Sequence, residues 1–292
     1  MAEHRIWKYH GTGNDFVMLE DLEDERPLSA ELAVALCDRH RGVGADGVIR
    51  VTRAGAATGA PFFMDHRNAD GSVAEMCGNG IRCLGKLVFE RGLTTDTEID
   101  VGTRAGVKQL RLDVVDGVVG SVTVGMGKER LARRDVPMTG GDPDRPFLHE
   151  PFEVEGRTYK ASAVSMGNPH LVLFVEEDPA DVDVPRLGPA VEHDPRFPNK
   201  VNVEFVAVDG DGLRLRVWER GVGETMACGT GACAALVAAN EAGLVQRRAP
   251  VRFTGGELLI ERADDQVYLT GPAERVLEAT LDGAWLNARG LA

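Results

Sequence analysis

Short apolar runs recur along the chain and are separated by Gly, Asp and Pro residues. Runs of five to eight residues that are rich in Val, Ile, Leu and Phe and bounded by turn residues are typical of β-strands. The pattern predicts strands at residues 15–19, 47–51, 121–126, 170–175, 202–208, 213–219, 258–262 and 266–271.

Three segments instead show helical patterns together with a start or stop signal. They are residues 29–39, with Ser29 as N-cap and Gly42 beyond the end, 80–91, closed by Gly92, and 230–242, closed by Gly243. Many strands and few helices, without regular alternation of the two, predict an α+β fold rather than a doubly wound sheet.

Length and composition narrow the class of protein. The 292 residues suggest two domains, and 43% hydrophobic with 27% charged residues is ordinary globular usage. A net charge of −13 would repel a phosphate backbone, so we expect no nucleic acid partner. No apolar leader and no run of about 18 apolar residues is present, which predicts a cytoplasmic protein with no membrane partner. The five cysteines are accordingly expected to be reduced thiols.

Two similar cysteine motifs carry the candidate chemistry: "MCGNGIRC" at 76–83 and "ACGTGAC" at 227–233. In each, a cysteine, Cys77 or Cys228, precedes a Gly-x-Gly that leads into a predicted helix. A helix N-terminus favours a thiolate, so we expect a lowered thiol pKa at both positions. The glycines let a ligand approach the backbone N–H groups, which can hold a carboxylate or an oxyanion.

Other uses of these thiols fit less well. A zinc site would need paired cysteines with two to four residues between them, but Cys77 and Cys83 have five between them, and both cysteine pairs lie along predicted helices without nearby His partners. The C-x-x-C of a thioredoxin-like redox site is absent. We interpret Cys37, Cys83 and Cys233 as inert buried residues of helices. A nucleophilic mechanism needs one cysteine and leaves the second unexplained. Two thiols on opposite faces of a carbon can remove and return a proton, which inverts a stereocentre without cofactor or metal.

Internal repetition suggests how two such motifs arose. Cys77 and Cys228 are 151 residues apart, and Asn14 and Asn168, each before an apolar strand, are 154 apart. We therefore hypothesise two similarly folded halves facing each other. Pro- and Asp-rich segments at 140–151 and 176–189 are alternative places for a boundary. "GVGADG" at 42–47 has the spacing of a dinucleotide-binding loop but follows a helix and precedes a strand, so we interpret it as a turn.

The ordered set of motifs resembles diaminopimelate epimerase over nearly the whole chain. The motifs are "HGTGNDF" 10–16, "RNADGS" 67–72, "MCGNGIRC" 76–83, "GNPH" 167–170, "VNVEF" 201–205, "WERGVGET" 218–225 and "ACGTGAC" 227–233. The resemblance implies interconversion of LL- and meso-2,6-diaminopimelate, in lysine and peptidoglycan-precursor synthesis, by an isomerase without pyridoxal phosphate or metal.

The resemblance also implies an architecture. It consists of two pseudo-symmetric, β-rich, barrel-like halves, each around a central helix, with the site at their interface. We assign residues 1–127 with a C-terminal return at 275–292 to the first half and 128–274 to the second. The family is commonly a homodimer, so we expect one here.

Site residues are carried over from the matching motifs. Cys77 and Cys228 are implied as the acid/base pair, and His170 as an auxiliary residue. The implied substrate-binding residues are Asn14, Asn68, Gly78, Asn79, Asn168, Asn202, Glu219, Arg220, Gly229 and Thr230. Glu219 and Arg220 could share the distal ammonium and carboxylate if the backbone leaves a regular strand there. The chain departs from the family at Gly47, where many members have Gln.

Three alternatives stay open on the sequence. One is another cofactor-independent isomerase, such as a relative of proline racemase, although such enzymes carry a histidine at the position of Asn79. The second is a non-catalytic clamp for amino acids. The third is a redox protein in which Cys77 and Cys228 cycle between thiol and disulfide. For the enzyme itself, we hypothesise that oxidation in the absence of substrate joins Cys77 and Cys228 in a disulfide and abolishes activity.

Overall fold

The computed structural model of the chain describes residues 4–54 and 59–291, in which strands greatly outnumber helices. The strands are β1 Arg5–Gly11, β2 Asn14–Glu20, β3 Gly47–Arg53, β4 Phe62–Asn68, β5 Val73–Ala74, β6 Glu98–Thr103, β7 Gly106–Val115, β8 Val118–Gly127, β9 Glu150–Val154, β10 Arg157–Ser165, β11 Pro169–Phe174, β12 Asn202–Asp209, β13 Gly212–Glu219, β14 Gly223–Thr225, β15 Arg248–Phe253, β16 Gly256–Arg262, β17 Val267–Gly271 and β18 Glu274–Thr280. The α-helices are α1 Ala30–Cys37, α2 Gly78–Glu90, α3 Val184–Glu192, α4 Gly229–Glu241 and α5 Gly283–Asn287.

The chain divides into two compact units. The first contains the residues up to Val124 and those from Gly271 onward, and the second contains Gly125–Thr270. Strands of the first unit pair in the order β18, β1, β2, β3, β4, β6, β7, β8, with β5 beside β4. Strands of the second pair in the order β9, β10, β11, β12, β13, β15, β16, β17, with β14 beside β13.

The two orders are the same topology. Among the described strands, each unit has two parallel neighbouring pairs, namely β2/β3 and β4/β6 in the first and β11/β12 and β13/β15 in the second. Parallel neighbours need a crossover, which α1 and α2 supply in the first unit and α3 and α4 in the second. The internal repeat seen in the sequence therefore reflects two units of one fold, and the predicted α+β class is confirmed.

One helix of each unit is surrounded by strands. Helix α2 packs against β1, β2, β3 and β7, and α4 packs against β10, β11, β12, β15 and β16. A helix covered on several sides has to be apolar or small nearly all round. Ile81, Leu84, Leu87 and Val88 meet this requirement in α2, and a run of buried alanines meets it in α4. The central helix of each β-rich half is thus as expected.

All eight predicted strands and all three predicted helices are present, within a few residues. The Ser29 hydroxyl accepts a hydrogen bond from the Leu32 amide at 3.1 Å, as an N-cap should. Two helices escaped prediction. Helix α3 begins in the segment 176–189, which we interpreted only as Pro- and Asp-rich, and continues to Glu192. Helix α5 is a single short turn near the C-terminus. No helix in the described part of the chain is long and apolar enough to cross a membrane.

Candidate active site

Cys77 and Cys228 occupy the same place in their units. Each is the N-cap of a thirteen-residue helix, with extended backbone angles of φ −138° and ψ 120° at Cys77 and φ −126° and ψ 117° at Cys228. The prediction that both thiols stand at helix N-termini is confirmed. The first helical residues after each thiol, where helix geometry leaves N–H groups without an intrahelical partner, are Gly78 and Asn79 in α2 and Gly229 and Thr230 in α4.

In the first unit, the structure brings Cys77, Asn14 and Asn79 together. The Asn14 Oδ1 atom lies 3.7 Å from the Cys77 Sγ and accepts a hydrogen bond from the Asn79 Nδ2 at 3.2 Å. The Asn14 Nδ2 donates to the Asp46 carboxylate at 2.8 Å, which fixes the direction of the amide. The Gly80 amide approaches the Cys77 Sγ at 3.5 Å. The thiol therefore lies between a helix N-terminus and an oriented amide oxygen.

A buried arginine, Arg82, forms hydrogen bonds with the first turn of α2. Arg82 is fully buried, and its Nη1 donates to the Gly78 carbonyl and to the Asn79 Oδ1, both at 3.0 Å. Its Nε donates to the Pro272 carbonyl at 3.1 Å. Sequence reasoning missed Arg82, although a charged residue inside the otherwise apolar "GIRCLG" segment was a signal for it.

Asn68 is held in a separate turn at the end of β4. Its Nδ2 donates to the Ser72 hydroxyl at 3.0 Å. The strand register places Asn68 opposite Gly47, and Gly47 lies beside Phe16 on β2. Asn68 is therefore two strands away from β2, at whose first residue Asn14 stands.

The space beside Gly47 is filled by an imidazole. A Cβ at Gly47 would lie 2.8 Å from the His66 Nε2 and 2.8 Å from the Arg67 carbonyl oxygen, so a larger residue does not fit there without a shift. His66 is only 4% exposed and meets the Phe16 ring edge-on, with centroids 5.6 Å apart. Burial lowers the pKa of His66 to about 4, so the ring is neutral at pH 7. Neither of its ring nitrogens has a hydrogen-bond partner among the described residues.

In the second unit, Cys228 ends a chain of side-chain contacts. Its Sγ lies 3.5 Å from the Thr230 Oγ1, which accepts from the Asn168 Nδ2 at 3.3 Å. The Asn168 Oδ1 meets the His170 Nε2 at 2.9 Å, and the His170 Nδ1 meets the Glu204 Oε1 at 2.7 Å. Sequence reasoning missed Glu204, although a carboxylate inside the apolar strand "VNVEF" was a visible signal.

The electrostatic surroundings of Cys228 differ from our expectation. Burial and the nearby charge of Glu219 raise its pKa well above the ordinary thiol value, and they outweigh the lowering hydrogen bonds from Thr230 and the Gly231 amide. The predicted lowering is therefore wrong for Cys228, because desolvation exceeds the effect of the helix N-terminus. Burial likewise raises the pKa of Glu219, against a hydrogen bond donated by the Thr225 hydroxyl at 2.5 Å.

The Asn202 side chain contacts the backbone of Arg220. The Asn202 Oδ1 accepts from the Arg220 amide at 2.8 Å, while its Nδ2 donates to the Pro169 carbonyl at 2.8 Å. Strand β13 ends at Glu219, and a turn with φ 75° at Gly221 follows. The backbone thus leaves the regular strand after Glu219, which is the condition under which Glu219 and Arg220 could share the two distal groups. The exposed Arg220 guanidinium donates to the Asn199 carbonyl at 3.2 Å.

These two clusters have the parts needed for proton transfer to and from an amino acid. Each offers a thiol, an oriented asparagine amide and a helix N-terminus that can hold an anion. All five cysteines are thiols in the structure. Within residues 4–54 and 59–291, no cluster of three or more His, Cys, Asp or Glu side chains is arranged to hold a metal ion.

Solved structures of related fold are similar to this chain over most of its length. A probable proline racemase from Agrobacterium radiobacter K84 superposes with a TM-score of 0.71 at 15% identity, covering 96% of this chain and 93% of its own. A hydroxyproline epimerase from Agrobacterium vitis superposes with a TM-score of 0.68 at 16% identity, covering 98% and 94%. At these identities the likeness supports the fold.

Sequence relatives identify the family. The sequence profile of diaminopimelate epimerase matches residues 6–132 and 162–276. The diaminopimelate epimerase of Acetivibrio thermocellus is 44% identical over 95% of this chain and 98% of its own length, and that of Moorella thermoacetica is 47% identical over 92% and 96%. The chain therefore belongs to the diaminopimelate epimerase family, whose members are isomerases.

Proposed function

We propose that this protein interconverts LL- and meso-2,6-diaminopimelate by a cofactor-independent mechanism in which Cys77 and Cys228 are the acid and the base. The observation that carries the proposal is the repeated placement of a cysteine as the N-cap of the central helix in both units. A mechanism that needs one thiol leaves this repetition without a purpose. The proposal requires both thiols to act on the same α-carbon.

The raised pKa of Cys228 supports a division of roles between the two thiols. Because the pKa of Cys228 is raised, Cys228 starts as the thiol and can donate a proton. The Cys77 thiolate then removes the α-proton, forming an S–H bond and leaving the electron pair of the broken C–H bond on the substrate. Cys228 returns its own proton to the opposite face, and the enzyme is left with a Cys77 thiol and a Cys228 thiolate. The reverse reaction starts from this second form.

The remaining residues of the site have binding roles in the proposal. The N–H groups of Gly78, Asn79, Gly229 and Thr230 hold the reacting α-carboxylate, where the negative charge that develops on the enolate-like intermediate is also stabilised. The rest of the substrate is bound by Asn14, Asn68, Asn168, Asn202, Glu219 and Arg220, and His170 is auxiliary. The contacts of Asn14 with Cys77 and of Asn168 with Thr230 support these assignments.

The proposal extends to the setting of the enzyme. We place it in the cytoplasm, in lysine and peptidoglycan-precursor synthesis, as a homodimer without pyridoxal phosphate or metal. We keep residues 1–127 with 275–292, and 128–274, as its two functional halves.

Chiral separation of the amino acid after incubation with LL-diaminopimelate tests the function. The wild type should form the meso isomer, and Cys77→Ala and Cys228→Ala should each lose more than 99% of that rate. Cys83→Ala and Cys233→Ala, which remove a buried cysteine from the same two helices, are matched controls and should stay active. A wild type that leaves diaminopimelate unchanged but racemises proline would point to the neighbouring isomerase class. Binding without conversion would point to the clamp.

A further inference from the structure

A fully buried pair of polar residues lies under the first turn of α4. His170 on β11 and Glu204 on β12 are both 0% exposed, and the His170 Nδ1 lies 2.7 Å from the Glu204 Oε1. We call these two residues the buried pair. The second carboxylate oxygen, Oε2, has no hydrogen-bond partner among the described residues. Burying a carboxylate without satisfying it is costly, so the pair calls for a reason beyond packing.

The first unit shows what the fold requires at this place. The parallel register sets Phe16 beside Gly47 in the first unit as it sets His170 beside Asn202 in the second. Two residues after Gly47 is Ile49, and two residues after Asn202 is Glu204. The first unit therefore has Phe16 and Ile49 where the second has the buried pair.

The same comparison holds at the helix above. A Cβ at Gly80 of α2 would lie 2.5 Å from the Ile49 Cδ1, and a Cβ at Gly231 of α4 would lie 2.8 Å from the Glu204 Oε1. Each glycine thus lets its helix approach the side chain of the third residue of a neighbouring strand, Ile49 of β3 or Glu204 of β12. In one unit that side chain is a hydrocarbon, and in the other it is a carboxylate. Since an apolar side chain fills this place in the first unit, the fold does not require a carboxylate there, and we look for another role for Glu204.

The contacts of the buried pair lead to the catalytic thiol. His170 holds the Asn168 amide oxygen, the Asn168 Nδ2 reaches Thr230, and Thr230 reaches the Cys228 Sγ. In the first unit the equivalent Asn14 is instead oriented by Asp46, and it contacts Cys77 directly. The relay on the Cys228 side therefore runs through an imidazole and a carboxylate, whereas the contacts on the Cys77 side run from Arg82 through Asn79 to Asn14.

We infer that Glu204 is a positioning residue of the proposed reaction: it holds the His170 ring so that Nε2 orients the Asn168 amide toward Thr230 and the substrate beside Cys228. The inference rests on the proposed function for its consequence in catalysis. Acceptor oxygens face both ring nitrogens, so each of the two contacts needs a hydrogen.

Variants that copy the first unit separate positioning from packing. Glu204→Gln keeps the size but removes the carboxylate, and the double variant His170→Phe/Glu204→Ile installs the pair that the first unit already packs. Glu257→Gln, which changes an exposed carboxylate at the start of β16, is the control. For each we would measure the thermal midpoint, the pH dependence of kcat and KM with diaminopimelate, and the ¹⁵N resonances of the His170 ring.

We expect Glu204→Gln to lower kcat/KM about tenfold, which corresponds to roughly 1.4 kcal/mol, to change its pH profile and to move both His170 ring resonances. The double variant should keep its thermal midpoint within a few degrees and lose at least a hundredfold in kcat/KM. Wild-type kcat/KM and pH profile in either variant would overturn the inference. If Glu204→Gln does not fold, the double variant decides, because its apolar pair fits the fold.

The ¹⁵N measurement keeps the inference separate from the proposed function. If the wild type does not epimerise diaminopimelate, the proposed function fails, whereas the His170 resonances still report on the buried pair. Ring resonances with a hydrogen-bonded proton at both nitrogens in the wild type, changed at Nδ1 and Nε2 by Glu204→Gln, support the inference. Resonances that Glu204→Gln leaves unmoved would overturn it.

Discussion

Asn14 and Asn168 hold equivalent places in the two units but present opposite ends of their amides to the helix that carries the cysteine. Asn14 turns its Oδ1 toward Cys77 and Asn79, at 3.7 Å and 3.2 Å. Asn168 turns its Nδ2 toward Thr230, at 3.3 Å, because His170 occupies its Oδ1. The two halves repeat one fold, yet their thiols meet different groups.

The first prediction concerns these two asparagines. Asn14→Ala and Asn168→Ala should each lower kcat/KM for diaminopimelate at least tenfold, since one hydrogen bond to a charged group is worth about 1.5 to 3 kcal/mol. Steady-state kinetics checks this. Asn240→Ala is the control, because the Asn240 side chain bonds the Val245 carbonyl and Arg262 at the far end of α4 from Cys228. That variant should lose stability and keep its KM, and an equal loss of kcat/KM in all three would contradict the assignment.

The second prediction concerns the protonation of Cys228. Because burial and Glu219 raise its pKa, Cys228 should react slowly with iodoacetamide at pH 8. Glu219→Gln removes a negative charge and should speed alkylation of Cys228 several-fold, which mass spectrometry of the labelled peptide measures. Glu224→Gln, where the carboxylate is paired with Arg216, should leave the rate unchanged. Slower labelling in Glu219→Gln would mean that its charge does not act on this thiol.

The third prediction concerns His66 and acid stability. The pKa of His66 is lowered from 6.5 to about 4 in the folded protein, so folding favours the neutral ring. Its contribution is present above the unfolded pKa and is lost as the pH falls through about 6.5 to 4. At 1.36 kcal/mol for each unit, about 3 kcal/mol is lost across this interval.

Urea unfolding at pH 7 and pH 4.5 measures that loss. His66→Leu should narrow the difference between the two free energies of unfolding by about 2 kcal/mol. His40→Leu, on an exposed turn, should show the wild-type difference. An unchanged difference in His66→Leu would show that the ring is already accessible to protons in the folded state.

The fourth prediction concerns Gly231, in the first turn of α4. Gly231→Ala places a Cβ 2.8 Å from the Glu204 carboxylate and 3.3 Å from the Cys228 Cβ, and should destabilise the protein by about 1 to 3 kcal/mol. Gly283→Ala, where nothing lies within 4 Å, should be close to neutral. Thermal unfolding of the two variants decides, and equal midpoints would contradict the close packing at Gly231.

Much of this arrangement could be predicted from the sequence because it depends on local signals. Gly-x-Gly after each cysteine, Gly92 and Gly243 after the helices, and alternating strands are all local, and the repeat revealed the two halves. Helix α3 escaped because its two prolines usually mark loops, although Pro185 stands in the first turn, where its missing N–H costs nothing.

What could not be predicted depends on contacts between distant positions. Glu204 meets His170 across neighbouring strands, and His66 fills the space beside Gly47 across β3 and β4. The sequence does not show that Glu204 contacts His170, nor that His66 lies beside Gly47. The raised pKa of Cys228 likewise follows from how deeply the thiol is buried, which a helix N-terminus does not reveal.

The most direct test of the account is proton NMR of LL-diaminopimelate in D₂O with the wild type, Cys77→Ala and Cys228→Ala. The two-thiol mechanism predicts that the wild type replaces the α-proton with deuterium and forms the meso isomer, whereas neither variant inverts the carbon. An α-proton that persists with the wild type, or inversion that survives the loss of either thiol, would contradict it.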